Sequence, residues 1–286
     1  MKENVEKLKK QSLQKIRWKA VFAQRKTQIG LCIVLFFLSM AVLAPVIAPN
    51  DPLYVDVVRK LEGPSTQFWL GTDQLGRCIA SRLIWGSRYS LAYSGIVLLI
   101  TVLIGVPIGM FAGYAGGKID MFLMRVIDIF MAMPSFIVTL AIAGTLGASG
   151  KNLVLAMSSV YWAGYARLAR ALTIQIKEQN FIMALKAGGC TGIQIVSKHI
   201  FKNIAGSILA LATMEIGSIV LAIAGFSFIG IGIQPPLPEW GVILSDSKNY
   251  IQTCPRLMIY PGIVIMMVVM GFNLLGDGVK HGISAE

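Results

Sequence analysis

Charge is what this 286-residue chain has least of. Asp, Glu, Lys and Arg make up 14% of it, against 55% hydrophobic residues. An average soluble domain carries roughly a quarter charged residues, so this composition cannot clothe a surface in contact with water. Histidine is scarcer still: His199 and His281 are the only two, which leaves no His–Cys cluster inside an apolar segment. The four cysteines, Cys32, Cys78, Cys190 and Cys254, stand far apart with no CxxC pair. They form neither a disulfide framework nor a zinc site. A phosphate-binding loop is missing as well. The nearest string, Ala112 through Gly117, Lys118 and Ile119, lacks the first glycine and the Ser/Thr of GxxxxGK[ST]. These absences exclude a secreted enzyme, a zinc protein and a disordered chain. They also exclude ATP hydrolysis by this chain alone, and no residue is assigned a catalytic or metal-ligating role.

What is present is a series of charge-free runs. Residues 27–50, 89–117, 129–150, 216–238 and 257–276 contain no Asp, Glu, Lys or Arg. About 20 apolar residues in a helix cross a bilayer core of about 30 Å, so each run reads as a span. A shorter run, 152–166, reaches spanning length when Leu168, Ala169, Ala171 and Leu172 are added and Arg167 and Arg170 snorkel toward the interface. The expectation is therefore an all-α polytopic membrane protein with six transmembrane helices, near 28–48, 90–114, 121–146, 152–172, 205–230 and 257–276. The first run is too long for the core of a signal peptide and is closed by Pro45 and Pro49; it is read as retained.

Sidedness follows from the basic residues. An even number of spans puts both termini on one side. Eighteen of the 26 Lys and Arg fall in 1–26, 115–128, 167–202 and the tail, and eight fall in the segments opposite. The positive-inside rule then places both termini in the cytoplasm. The net charge of +12 is thereby explained without nucleic acid, since the basic residues flank spans and are not interleaved with base-stacking aromatics. The lysine-rich start reads either as a cytoplasmic anchor or as an amphipathic interfacial helix.

Three features stand out within this frame. Gly105, Gly109, Gly113 and Gly117 recur every fourth residue, a stripe that lets helix backbones approach closely. It serves internal packing or a subunit interface, and Pro107 lies within it. Glu215 is the one acid well inside an apolar segment. Its cost in lipid is at least ~2.5 kcal/mol, so it lines a polar pathway or pairs with a polar partner. The loop 173–204 is polar, basic and helical in period. Its first segment carries Phe181, Ala184, Leu185, Gly188 and Gly189, and its second carries Ile193, Ile195, Val196, His199 and Ile200. Small residues on a short cytoplasmic helix suit close approach by another protein; a plain amphipathic loop gives the same pattern.

Several ordered segments resemble one family. APVIAP followed by Asn50-Asp51-Pro52, GTDQLGR at 71–77 and SRLIWGSRYSL at 81–91 are similar to segments of the permease subunits of bacterial ABC importers for peptides and nickel. So are GYAGGKIDMFLMRVIDIFMAMP at 113–134, GFSFIGIGIQPPLPEWG at 225–241 and FNLLGDG at 272–278. The resemblance covers about 28 to 280 and is to the second permease of such systems. In that family the cytoplasmic loop is the coupling helix that docks on an ATPase. Its pattern is Glu-Ala-Ala, three residues, Gly, and a later Leu-Pro. The matching positions here read Met183-Ala184-Leu185, Gly189 and Phe201-Lys202. Ala184, Ala187, Gly189 and His199 agree, Met183 and Lys202 depart, and Cys78 replaces an acid usual after the GTDxxGR signature.

The resemblance implies a type I ABC importer permease fold. Residues 1–86 form a basic tail, first helix and outer loop, 87–276 the five-helix transmembrane domain, and 277–286 a cytoplasmic tail. It assigns ATPase coupling to Ala184, Ala187, Gly189, Ile195 and His199, with the 181–200 segment as the moving part. The implied partners are a homologous second permease, two ATPase subunits holding ATP and Mg, an extracytoplasmic substrate-binding protein and the lipid bilayer of a bacterial cell membrane. No cofactor is implied in this chain. WAGYARLAR at 162–170, LATMEIG at 211–217 and EWGVILSDSKNYIQTCP at 239–255 look more like nickel permeases, with Glu215 where that branch has an acid. The expected cargo is nickel or a metal chelate, with dipeptides and oligopeptides as the alternative. A channel or receptor working without ATPases is the alternative from another class.

Overall fold

The computed structural model describes residues 18–284. The basic stretch 1–17, expected as part of an anchor or interfacial helix, lies outside the described residues. Among the described residues the regular structure is helical, and a lone bridge between Thr72 and Cys78 is the only β pairing. A short α1, Trp18–Ala23, leads into α2, Arg25–Ile47. α3, Ile79–Ala115, is 37 residues long. α4, Gly117–Ala132, and α5, Ser135–Leu146, are followed by α6, Gly150–Lys177. α7, Asn180–Ala187, is short, and α8 runs over Gly192–Phe228 with a π turn at Ile195–Ile200. α9, Trp240–Ser247, and α10, Arg256–Ser284, complete the chain.

Burial follows the sequence pattern. In α2 the buried residues are Thr27, Gly30, Val34, Phe37, Ala41 and Ala44, alternating three and four apart, which draws one stripe down a helix. That stripe lies on α10: a Cβ added at Gly30 would stand 2.7 Å from the Leu275 amide nitrogen, and one at Gly278 would strike the Thr27 side chain. The starts of α2 and ends of α10 therefore share one end of the bundle, the terminal side; the loop 48–78 and α9 share the far side. Outside these stripes, Val42, Val46, Leu103 and Leu155 are exposed. Apolar residues facing outward along long helices are what a lipid solvent demands.

Four helices, α2, α3, α8 and α10, are long and apolar enough to cross a membrane, and a fifth span results if α4 and α5 count as one. This differs from the expected six at two places. The expected continuous helix 121–146 is broken: α4 and α5 meet at 86°. Pro134 is the cause, since it excludes the residue before it from helical backbone angles, and Met133 is extended (φ −103°, ψ 143°). The expected fourth span corresponds to α6. Its 28 residues would reach about 42 Å, but Lys151, Asn152, Arg167, Arg170 and Lys177 make it too polar to qualify on hydropathy.

The loop expected at 173–204 is also shorter than its sequence suggests. α6 continues to Lys177 and α8 begins at Gly192, so the irregular links around α7 are 178–179 and 188–191. Thr191 starts α8 with a capping box, its hydroxyl accepting from Gln194 N while Gln194 Oε1 accepts from Thr191 N.

Candidate functional site

The transmembrane face is built on the seam between α3 and α6. A Cβ at Gly105 would lie 2.4 Å from the Trp162 carbonyl oxygen, at Gly109 2.1 Å from that of Ala166, and at Gly113 2.8 Å from that of Arg170. Glycines four apart on α3 thus meet carbonyls four apart on α6, with the Tyr165 and Thr173 side chains beside the contacts at Gly105 and Gly113. Gly117 does not join them. It starts α4 with φ +57°, and nothing lies within 4 Å of an added Cβ.

Arg167 and Arg170, expected to snorkel, instead have acid partners on α4. Arg170 holds Asp120 with a fork, Nε to Oδ1 at 2.5 Å and Nη2 to Oδ2 at 2.6 Å. Arg167 Nη2 meets Asp128 Oδ1 at 2.5 Å, and both side chains are about half exposed. Between them Ile127 is buried against Ala163 and Ala166. Ionised pairs in a membrane segment face a bundle interior or a water-filled cavity. Sequence reasoning missed Asp120 and Asp128; the available signal was two acids flanking the apolar part of α4, opposite two arginines on α6.

Glu215 sits half-buried on α8. Its carboxylate is near enough to the phenols of Tyr161 and Tyr165 on α6 to act on them electrostatically. The Tyr165 hydroxyl is buried without a hydrogen-bond partner. One residue away, Met214 backs onto Gly276 of α10, so α8 is wedged between α6 and α10 at this depth.

On the terminal side, α7 is held by one fully buried residue, Ile182, in a cluster with Ile195, Ile200, Ile204, Tyr165 and Ile176. Met183, Ala184, Ala187 and Gly189 are exposed. The helix ends in a Schellman turn: Cys190 N donates to Leu185 O at 3.1 Å and Gly189 N to Lys186 O at 3.1 Å, with Gly189 at φ +81°. Glycine is required there by the backbone itself. Of the five residues assigned to coupling, Ala184 and Ala187 share the exposed face of α7, and Gly189 is exposed in the turn that follows it. Ile195 is fully buried and His199 half-buried on α8, so they anchor the segment from behind.

The far side carries a buried charge network. Asp73 accepts from Arg77 Nε at 2.6 Å and lies 3.3 Å from Arg82 Nη1. Asp246 of α9 accepts from Arg77 Nη2 at 2.9 Å and Arg82 Nη2 at 3.1 Å. Arg82 is 1% exposed. Glu239, fully buried, caps α9 through Val242 N at 3.1 Å and accepts from Ser90 Oγ of α3 at 3.0 Å. Burial raises its carboxyl above the usual range, while hydrogen bonds from the Gly241 and Val242 amides and the Ser90 and Ser227 hydroxyls act the other way. Trp240 follows, its Nε1 donating to Leu83 O at 3.1 Å.

Comparison with known proteins covers most of the chain. Residues 105–284 match the family described as binding-protein-dependent transport system inner membrane component. Residues 12–64 match the N-terminal TM domain of oligopeptide transport permease C. A dipeptide transport system permease protein of Alkalihalophilus pseudofirmus is 37% identical over 273 residues, covering 94% of this chain and 90% of that one. A nickel transport system permease protein of Escherichia coli K12 is 37% identical over 253 residues, 88% and 91% of the two chains. A glutathione transport system permease protein of Pectobacterium atrosepticum is 34% identical over 270 residues, 94% and 90%. Among solved structures, an inward-facing MetNI methionine ABC transporter superposes with TM-score 0.59 at 18% identity, covering 70% of this chain and 95% of that one.

Proposed function

The chain belongs to the binding-protein-dependent transport system inner membrane components, in their dipeptide, oligopeptide and nickel permease branch, and on that premise we propose that it forms half of the translocation path of an ATP-driven importer. The observation that carries the reading is α7. It is a short helix rooted at Ile182 that turns Met183, Ala184, Ala187 and Gly189 outward, a surface of small residues on which a folded partner seats closely.

In this proposal the terminal side is cytoplasmic, α7 docks on an ATPase subunit that binds ATP and Mg, and a homologous permease completes the path. α6 serves as the sixth span, its arginines neutralised by α4. The far-side loop 48–78 and α9 face an extracytoplasmic binding protein. ATP-driven closure of the two ATPases displaces α7 and biases the permease pair between inward-open and outward-open states. Glu215 and the Asp128–Arg167 pair line the route. Gly105, Gly109 and Gly113 act inside this subunit as the seam between α3 and α6.

The proposed cargo is nickel or a metal chelate, supported by an acid at Glu215 beside two tyrosines. A dipeptide stands on equal support, because a nickel permease and a dipeptide permease are both 37% identical to the chain. Uptake of radiolabelled nickel and of a radiolabelled dipeptide, measured in a deletion strain and its complement, separates the two. Restored nickel uptake alone supports the metal reading. Restored dipeptide uptake alone assigns the alternative, and uptake independent of any ATPase overturns the importer.

A further inference from the structure

Three elements converge on the ring of Tyr114, in the last turn of α3. Lys177 Nζ, at the end of α6, lies 5.5 Å from the ring centroid and donates to the Tyr114 carbonyl at 2.5 Å. Lys186 Nζ of α7 lies 5.7 Å from the same centroid. From α8, Gly192 abuts the ring edge: an added Cβ would stand 3.0 Å from Cε1 and 3.3 Å from the hydroxyl oxygen. The ring itself packs on the cluster that holds Ile182 and Ile195.

The mechanics of α7 give this convergence a meaning. Only Glu178 and Gln179 join α7 to α6, and its apolar side, Ile182 with Phe181 and Leu185 partly buried beside it, rests on one cluster. Apolar contact alone lets a helix slide and roll; a directed contact is needed before a push on it becomes a displacement of what it is tied to. Lys186, one turn beyond Ile182, supplies that contact. An ammonium over a ring face keeps its attraction through a range of angles, so the contact survives as α7 tilts. Tyr114 belongs to α3, and α3 is joined to α6 backbone to backbone at Gly105, Gly109 and Gly113.

We propose that Tyr114 is a positioning residue for transport, the joint that makes α7 move as one body with α3 and α6. The proposal rests on α7 as the ATPase-docking segment, and the test keeps the two apart. It uses the complete importer in host membranes, with ATPase co-purification on the tagged chain and uptake of radiolabelled nickel and dipeptide, scored on the probe that wild type accumulates. Tyr114→Leu keeps an apolar side chain and removes the aromatic face. The ATPase should co-purify as in wild type while uptake falls about tenfold. Tyr114→Phe keeps the face and should retain at least about half of the uptake. Lys186→Met removes the cation alone and should lower uptake about threefold, which covers the case of a Tyr114→Leu chain that fails to accumulate. Wild-type uptake in Tyr114→Leu, or in Lys186→Met when that variant stands in, with the ATPase attached, overturns the joint. So does a loss in Tyr114→Phe equal to that in Tyr114→Leu. Ala187→Trp tests the docking segment itself: an ATPase that co-purifies undiminished with it overturns that reading, whatever the Tyr114 variants do.

Discussion

The two ends of the bundle are fastened by opposite means. On the far side, four charges, Asp73 and Arg77 of the loop 48–78, Arg82 of α3 and Asp246 of α9, are drawn together. On the terminal side, α7 rests on an apolar contact, Ile182 with Phe181 and Leu185 beside it, and on contacts between lysines and the Tyr114 ring. Separating buried charges exposes each to a large desolvation penalty, whereas a partly exposed cation–ring contact is worth about 0.5–1 kcal/mol. One end resists rearrangement and the other yields to a modest push. Under the coupling proposed at α7, that asymmetry lets a force applied there move helices and leave the far-side cap intact.

The comparison breaks most sharply at the cap. Arg82→Met leaves Asp73 and Asp246 short of a partner and should cost about 3–5 kcal/mol. Thermal unfolding of the purified chain in detergent reads that loss, and an unchanged midpoint would deny the network its role. The seam comes next. Gly109→Leu puts a side chain where 2.1 Å separates an added Cβ from the Ala166 carbonyl oxygen, and overpacking of this kind costs about 1–3 kcal/mol. Its signature is reduced membrane accumulation, which Gly117→Leu should show far less on packing grounds. A smaller contrast lies between the two ion pairs of α4. Asp120→Asn breaks a forked bond and should lower stability by about 1 kcal/mol. Asp128→Asn, half exposed, should change it by well under about 1 kcal/mol; equal effects in a parallel melt would contradict the ranking. Smallest in stability is Ala187→Trp, within about 0.5 kcal/mol as an exposed substitution, and yet it should abolish ATPase attachment. Ala187 is a cleaner probe than Gly189, where φ +81° makes any side chain strain the Schellman turn. Normal co-purification after Ala187→Trp would remove the functional half of the contrast.

Much of this architecture is legible in one dimension, and the exceptions share a cause. The charge-free runs locate α2, α3, α8 and α10 because lipid imposes its rule residue by residue. The glycine spacing likewise marks the α3 face that meets α6. The start of α3 at Ile79 is not legible, since Arg82 and Arg88 look like water-facing residues. Arg82 is buried because Asp246, 164 positions later, comes to meet it. Arg167 and Arg170 read as snorkelling for the same reason, their acid partners lying on another helix. The break at Pro134 had a local signal that the surrounding apolar run concealed. Around α7 the helical period was visible, but which residue is fully buried depends on α3 and α8, and that residue is Ile182.

The π turn at Ile195–Ile200 has a consequence for Glu215. Ile195, Ile200, Ile204 and Ile208 are all buried in one cluster, although the first interval is five residues and the others four. In an ordinary α-helix residues five apart point about 140° away from each other; the wider turn absorbs the extra residue and brings Ile195 back into line. Deleting one residue between them would let the turn relax to an ordinary α-helix with the two isoleucines four apart, about 40° from alignment, and the helix beyond would keep its bearing. Glu215 would then stay on α6. An insertion or deletion between Ile200 and Glu215, in regular α-helix, has no wide turn to absorb it and would turn the carboxylate by about 100°.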